Sequence, residues 1–114
     1  MKRTLHIVLC ALCLVLPMAA QTLGDISGIV TDTSGAVVTN ATVTVTSAAT
    51  ASARETKTND SGAFNFPALS PGGYSLKVAA SGFKGAVRTD IQLEVQQSLR
   101  LDVELAVGQV SESV

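Results

Sequence analysis

From Ile26 to Leu105 the chain is built of short runs in which apolar and polar residues alternate. Ile26, Gly28 and Val30 fall on one side of an extended chain, as do Ala41, Val43 and Val45, with Thr42, Thr44 and Thr46 opposite. Phe64 and Phe66 share a face, then Tyr74, Leu76, Val78 and Ala80, then Ile91, Leu93 and Val95, and finally Leu99, Leu101, Val103 and Leu105. A period of two is that of a strand with one face buried and one wet. Thr and Val, both branched at Cβ, suit such a pleated surface. Residues 53–59, ARETKTN, predict a polar edge strand whose Arg54, Glu55 and Lys57 discourage indiscriminate pairing with other chains.

The breaks between these runs carry turn chemistry. Asp32-Thr33-Ser34-Gly35 and Asn59-Asp60-Ser61-Gly62 share one plan. A short acidic side chain accepts from a nearby backbone N–H, and the glycine takes a positive φ. The second predicts a hairpin, because runs flank it closely. Pro71-Gly72-Gly73 predicts a tight turn, and Ser81-Gly82 the end of the run that starts at Tyr74. About seven short strands at this spacing predict an all-β fold, an antiparallel β-sandwich with one wet face on each sheet.

Phe64, Phe66, Tyr74 and Phe83 are all the aromatic residues of the 114-residue chain. The first three lie in phase with aliphatic core positions and are expected to plug the core. Phe83, in the Ser81–Lys84 loop, either caps the end of the sandwich or is exposed.

The first twenty residues read differently. Lys2 and Arg3 precede an apolar run from Leu5 to Leu16, and Met18-Ala19-Ala20 leads into polar sequence. This is the pattern of a secretory signal peptide, with cleavage expected near Ala20. The run is short of the ~20 residues of a membrane span. Cutting the first 20 of the 114 residues leaves 94. Lys2 and Arg3 leave with them, so the formal charge goes from −1 to −3. Cys10, Cys13 and His6 lie in the same segment, so the even cysteine count is no disulfide framework. A mildly acidic chain of this length is one domain without a general electrostatic pull on nucleic acid.

Residues 21 to 114 hold neither His nor Cys. The usual Ser-His and Cys-His nucleophile pairs and zinc sites of His and Cys therefore have no members there. Asp25, Asp32, Asp60, Asp90, Glu94, Asp102 and Glu104 are spread over turns and wet faces rather than paired. Asp32 and Ser34, or Asn59, Asp60 and Ser61, offer oxygens, but neither turn alone supplies the six to eight that calcium takes. The expectation is a protein that is not an enzyme and has no metal or cofactor.

One longer pattern goes further. Gly62-x-Phe64-x-Phe66-x-x-Leu69-x-Pro71-Gly72-x-Tyr74-x-Leu76-x-Val78 followed by Gly82-Phe83 resembles the carboxypeptidase regulatory-like domain. Ile26 to Val38 is similar to that family's first strand and turn, and Ala41-x-Val43-x-Val45 to its second. The resemblance covers residue 25 to about 105 and implies a seven-stranded prealbumin-like sandwich, grouped with carbohydrate-binding-like folds. It implies nothing catalytic, because the matched residues are turns and core.

A leader, this domain and then Leu105-Ala106-Val107-Gly108-Gln109-Val110-Ser111-Glu112-Ser113-Val114 look like the N-terminus of TonB-dependent outer-membrane receptors. The implied organisation is a signal peptide at 1–20, the sandwich at 21–105 and a connector at 106–114. That connector would lead to a TonB-box and plug region. The implied product is either a fragment of such a receptor or a stand-alone copy of its extension domain. Its place would be the periplasmic face of the outer membrane, or the secreted fraction. The implied partners are the receptor's plug and barrel and a TonB-type energy-coupling protein. The alternative is a carbohydrate-binding or protein-interaction module, with a glycan as ligand and Asn65, Phe83 and Lys84 as candidate binding residues.

Overall fold

The computed structural model describes residues 22–108. The expected signal peptide, the end of the expected connector, and with them His6, Cys10 and Cys13, lie outside the described residues. Eight strands follow in chain order. They are β1 (Gly24–Asp32), β2 (Thr42–Ser47), β3 (Ala53–Lys57), β4 (Ala63–Leu69), β5 (Gly72–Ala79), β6 (Ala86–Leu93), β7 (Ser98–Arg100) and β8 (Val103–Leu105). The first sheet runs β4-β1-β7, with β8 also on β1; the second runs β3-β2-β5-β6.

The alternation expected from the sequence sorts side chains as a two-layer sandwich requires. Ile26 and Val30 of β1, Val43 and Val45 of β2, and Leu76 and Val78 of β5 are at most 1% exposed. Phe64 and Phe66 of β4 lie in the same layer as Ile26 and Val30 and are buried with them against β2 and β5, their ring centroids 6.1 Å apart and tilted by 56°. Tyr74 is buried too, and its hydroxyl donates to the Ser70 carbonyl at the β4–β5 turn. Phe83 is half-buried and packs against the core, so it closes one end of the sandwich. β3 is an edge strand, as its composition implies.

Four details differ from the sequence reading. Asn59–Gly62 joins no hairpin: β3 pairs with β2, and β4 with β1 in the other sheet. The chain crosses from one sheet to the other at this turn, so the strands on its two sides pair in different layers. Val95 does not continue β6 but is 60% exposed, because the chain turns at Glu94–Gln97, where the Glu94 N–H donates to the Gln97 side chain. Strand β6 instead begins earlier, at Ala86, on a stretch whose residues 87 to 90 are exposed and carry no alternation.

The last difference is the largest. The Leu99–Leu105 run is split into β7 and β8, and both lie parallel to β1 in an otherwise antiparallel fold. The split occurs where Gly28 faces Leu101: a Cβ on Gly28 would stand 1.8 Å from the Leu101 carbonyl oxygen. Only glycine lets the two backbones approach so closely.

Candidate functional site

The three candidate binding residues are not brought together. Asn65 is exposed on β4, opposite Ser27 of β1. Phe83 and Lys84 lie in the β5–β6 loop, which meets the chain just after β8. Phe83 bridges to Val107, the Lys84 N–H donates to the Ala106 carbonyl at 2.8 Å, and the Gly108 N–H donates to the Gly82 carbonyl at 3.1 Å. Strand β4 flanks β1 on one side and β8 on the other. Asn65 therefore stands across the sheet from the other two.

Asp25, Asp32 and Asp102 act as structural acceptors. Asp32 Oδ1 accepts from the Ser34 N–H (2.9 Å), the Ala36 N–H (3.1 Å) and the Ser34 hydroxyl (2.6 Å). The Ser34 hydroxyl, opposed by desolvation and helped by the backbone donors, holds the Asp32 carboxyl below its usual range. In the second turn Asn59, not Asp60, takes the equivalent place: its Oδ1 accepts from the Ser61 and Ala63 N–H groups at 2.9 and 3.0 Å. A neutral amide fills the same role, so the Asp32 charge is not required by the turn.

Asp102 sits at the break between β7 and β8. Its Oδ1 accepts from the Arg100 Nε–H at 3.1 Å and from the Ile29 N–H at 3.1 Å. The Arg100 hydrogen bond first, then the Ile29 N–H, hold this carboxyl below its usual range. The carboxylate thus supplies an acceptor to β1 where the neighbouring backbone turns away. Thr58 is the buried polar residue of the core: its hydroxyl donates to the Val38 carbonyl at 2.8 Å and accepts from the Ala41 N–H at 2.9 Å. Neither role is visible in the sequence, where Asp102 reads as one more wet-face position and Thr58 as part of a polar edge.

Two arginines span the gap between the sheets, one on each flank. Arg54 of β3 donates through Nη1 to the Pro67 carbonyl at 2.7 Å and the Ala68 carbonyl at 3.4 Å. These residues form the irregular stretch of β4, where Ala68 has φ 57°. Arg88 of β6 donates to the Asp102 carbonyl at 3.2 Å. Arg88 lies beside the bulge that sets Thr89 and Asp90, with φ 57°, against Ser75. A bulge frees backbone carbonyls from the ladder, and the guanidinium on the Arg54 flank meets them.

Open-sided grooves mark the surface. One of about 190 Å³ lies between Arg54, Ser47, Ser52, Ser70 and Tyr74 at one end. Another, about 390 Å³, lies over the β6 bulge between Thr46, Ser75, Thr89, Asp90 and Gln92. The first offers hydroxyls and the Arg54 guanidinium, the second hydroxyls, a carboxylate and the Gln92 amide. Among the described residues, no three His, Cys, Asp or Glu side chains gather where they could hold a metal ion.

Two four-stranded sheets with this order define a prealbumin-like β-sandwich. The chain belongs to the carboxypeptidase regulatory-like domain family, whose profile matches residues 25–106. Among curated proteins none matches the sequence.

Solved structures similar to it include the Bacillus anthracis TIE protein (TM-score 0.65, 18% identity), with 75% of this chain and 17% of that one covered. The minor pilin GBS52 of Streptococcus agalactiae gives a TM-score of 0.62 at 12% identity, covering 82% of this chain and 48% of that one. A putative carbohydrate binding protein from Bacteroides uniformis gives 0.59 at 14% identity, covering 72% and 40%. Each is similar in fold, and the chain spans less than half the length of each. A catechol 1,2-dioxygenase from Acinetobacter radioresistens is also similar, so the fold by itself carries no activity. The family and these structures share a β-sandwich fold.

Proposed function

We propose that the chain is an exported accessory domain without catalysis of its own, standing at the N-terminus of a TonB-dependent outer-membrane receptor. The observation that carries this reading is the order along the chain. A leader-like run at residues 5–16 precedes a carboxypeptidase regulatory-like sandwich over 25–106, and a connector-like segment follows from Ala106. On this reading the domain stands at the periplasmic face of the outer membrane. Its partners are the receptor's plug and barrel and a TonB-type energy-coupling protein, and it holds no cofactor. The test is to sequence the native transcript past the codon for Val114. The expected result is an open frame continuing into plug and barrel strands; a stop codon there overturns the reading.

A second reading, a stand-alone glycan-binding module, is favoured by one observation. The groove over the β6 bulge presents Thr46, Ser75, Thr89, Asp90 and Gln92, a set of hydroxyl, carboxylate and amide groups matched to sugar hydroxyls. The likeness to a putative carbohydrate binding protein supports the same idea. A glycan panel followed by titration checks it, with Asp90→Ala and Phe83→Ala as comparisons. Saturable binding lost in Asp90→Ala supports the groove; no saturable binding to any glycan sinks this reading.

A further inference from the structure

The first and last strands of the sandwich meet along one seam. The chain enters β1 from Thr22 and leaves β8 towards Gly108, and these strands lie side by side and parallel. The register is constant along the seam, from Asp25↔Ser98 to Ser27↔Arg100 and again from Val30↔Val103 to Asp32↔Leu105. Parallel neighbours put entry and exit at opposite ends, roughly 26 Å apart over a nine-residue strand.

We propose that this seam is a mechanical clamp, and that the sandwich resists being drawn out when force is applied between Thr22 and Gly108. Pulling two parallel neighbours from opposite ends loads their ladder in shear. The inter-strand hydrogen bonds run across the strands, so they resist together. Had the last strand been antiparallel to the first, entry and exit would share one end. The bonds would then open one at a time.

The details of the seam fit that role. The Asp25 N–H donates to the Gln97 carbonyl at 2.9 Å, and the Ser98 hydroxyl donates to Asp25 Oδ1 at 2.7 Å, fastening the entry end. In the middle, the break at Gly28 would divide the seam into two three-residue ladders. The Leu101 N–H bonds the Ser27 carbonyl at 2.7 Å, and the Asp102 carboxylate takes the Ile29 N–H at 3.1 Å, so bonding continues across the gap. At the exit end, residues 106 to 108 are tied to the β5–β6 loop. Strand β1 is also held by β4 on its other side, so it cannot slide without breaking that ladder as well.

This inference rests on strand order alone and stands apart from the receptor reading. Single-molecule pulling of the full chain, with Cys10→Ser and Cys13→Ser to clear other thiols, tests it. Handles on the two chain termini shear the seam. Handles on the N-terminus and on Val95→Cys, an exposed position just before β7, peel it instead. The expected result is a rupture force at least twofold higher in the first geometry. Asp102→Ala should lower that force and leave the peeling force unchanged, and Asp102→Asn, which keeps the oxygen acceptor, should preserve it. Equal forces in the two geometries overturn the clamp. So does extension without a force peak when the chain, by circular dichroism, is folded.

Discussion

Asp32–Ala36 and Asn59–Ala63 make the same backbone bonds. In each, the first residue's carbonyl accepts from the glycine N–H, and its own N–H donates to the final alanine's carbonyl. Gly35 and Gly62, at φ 89° and 72°, complete both turns. Because Asn59 does neutrally what Asp32 does as an anion, Asp32→Asn should fold with a urea midpoint at pH 7 close to that of the parent. What changes is the acid response. The Asp32 and Asp102 carboxyls lie below their ordinary 3.8 in the folded chain, so the fold favours their ionised forms. Their stabilisation is complete above that value and is lost as pH falls through the folded pKa. Urea midpoints at pH 7 and pH 2.5 should therefore differ less in the Asp32→Asn/Asp102→Asn double variant than in the parent. An undiminished difference would locate the acid sensitivity elsewhere. Thr58→Val keeps the shape of a buried residue and orphans the Ala41 N–H and the Val38 carbonyl. Thermal melts should show a loss of about 1–3 kcal/mol for each orphaned group.

At the scale of elements, most strands were legible because one face of each is buried, and burial imposes the alternation that the sequence displays. Strands β1, β2, β4 and β5 lie where Ile26, Val43, Phe64 and Leu76 place them. The first half of β6 was not legible: Val87, Arg88 and Thr89 face solvent on an edge, so no pattern was selected there. Pairing partners were illegible for a related reason. Alternation tells which side of a strand is wet but not which strand lies next to it, so the Asn59 turn reads as a hairpin and the parallel seam goes unseen. For the same reason the candidate binding residues Asn65 and Phe83, on β4 and on the β5–β6 loop, are not brought side by side. One residue did carry a hidden signal. Gly28 is a glycine within an otherwise β-branched run, which marks a close backbone approach. Gly28→Ala should cost about 3 kcal/mol or more in chemical denaturation, at the upper end of overpacking, because its Cβ would meet a backbone carbonyl rather than a side chain that can move. A neutral result would mean that β7 and β8 can draw back from β1 freely.

At the scale of the whole molecule, the core is small, and a domain's total stability is about 5–15 kcal/mol. Phe66→Ala and Tyr74→Ala should each remove about 3–5 kcal/mol, enough to unfold a chain near the lower limit. Urea midpoints that barely move in both would return these aromatics to a surface role. The flanking arginines act at this scale too, since each ties one sheet to the other. Arg54→Met and Arg88→Met should each cost about 1 kcal/mol and add nearly independently, being on opposite flanks. Light scattering should show the double variant associating more readily, its irregular edges left open.

The parallel neighbours β1 and β8 have a consequence for engineering as well. Many domains tolerate circular permutation or insertion into a host loop because their termini lie close together. Here a permuted chain would need a new linker of about eight extended residues to cross roughly 26 Å. Grafted in line between two other units, the same sandwich would lengthen the assembly by that span without doubling the chain back on itself.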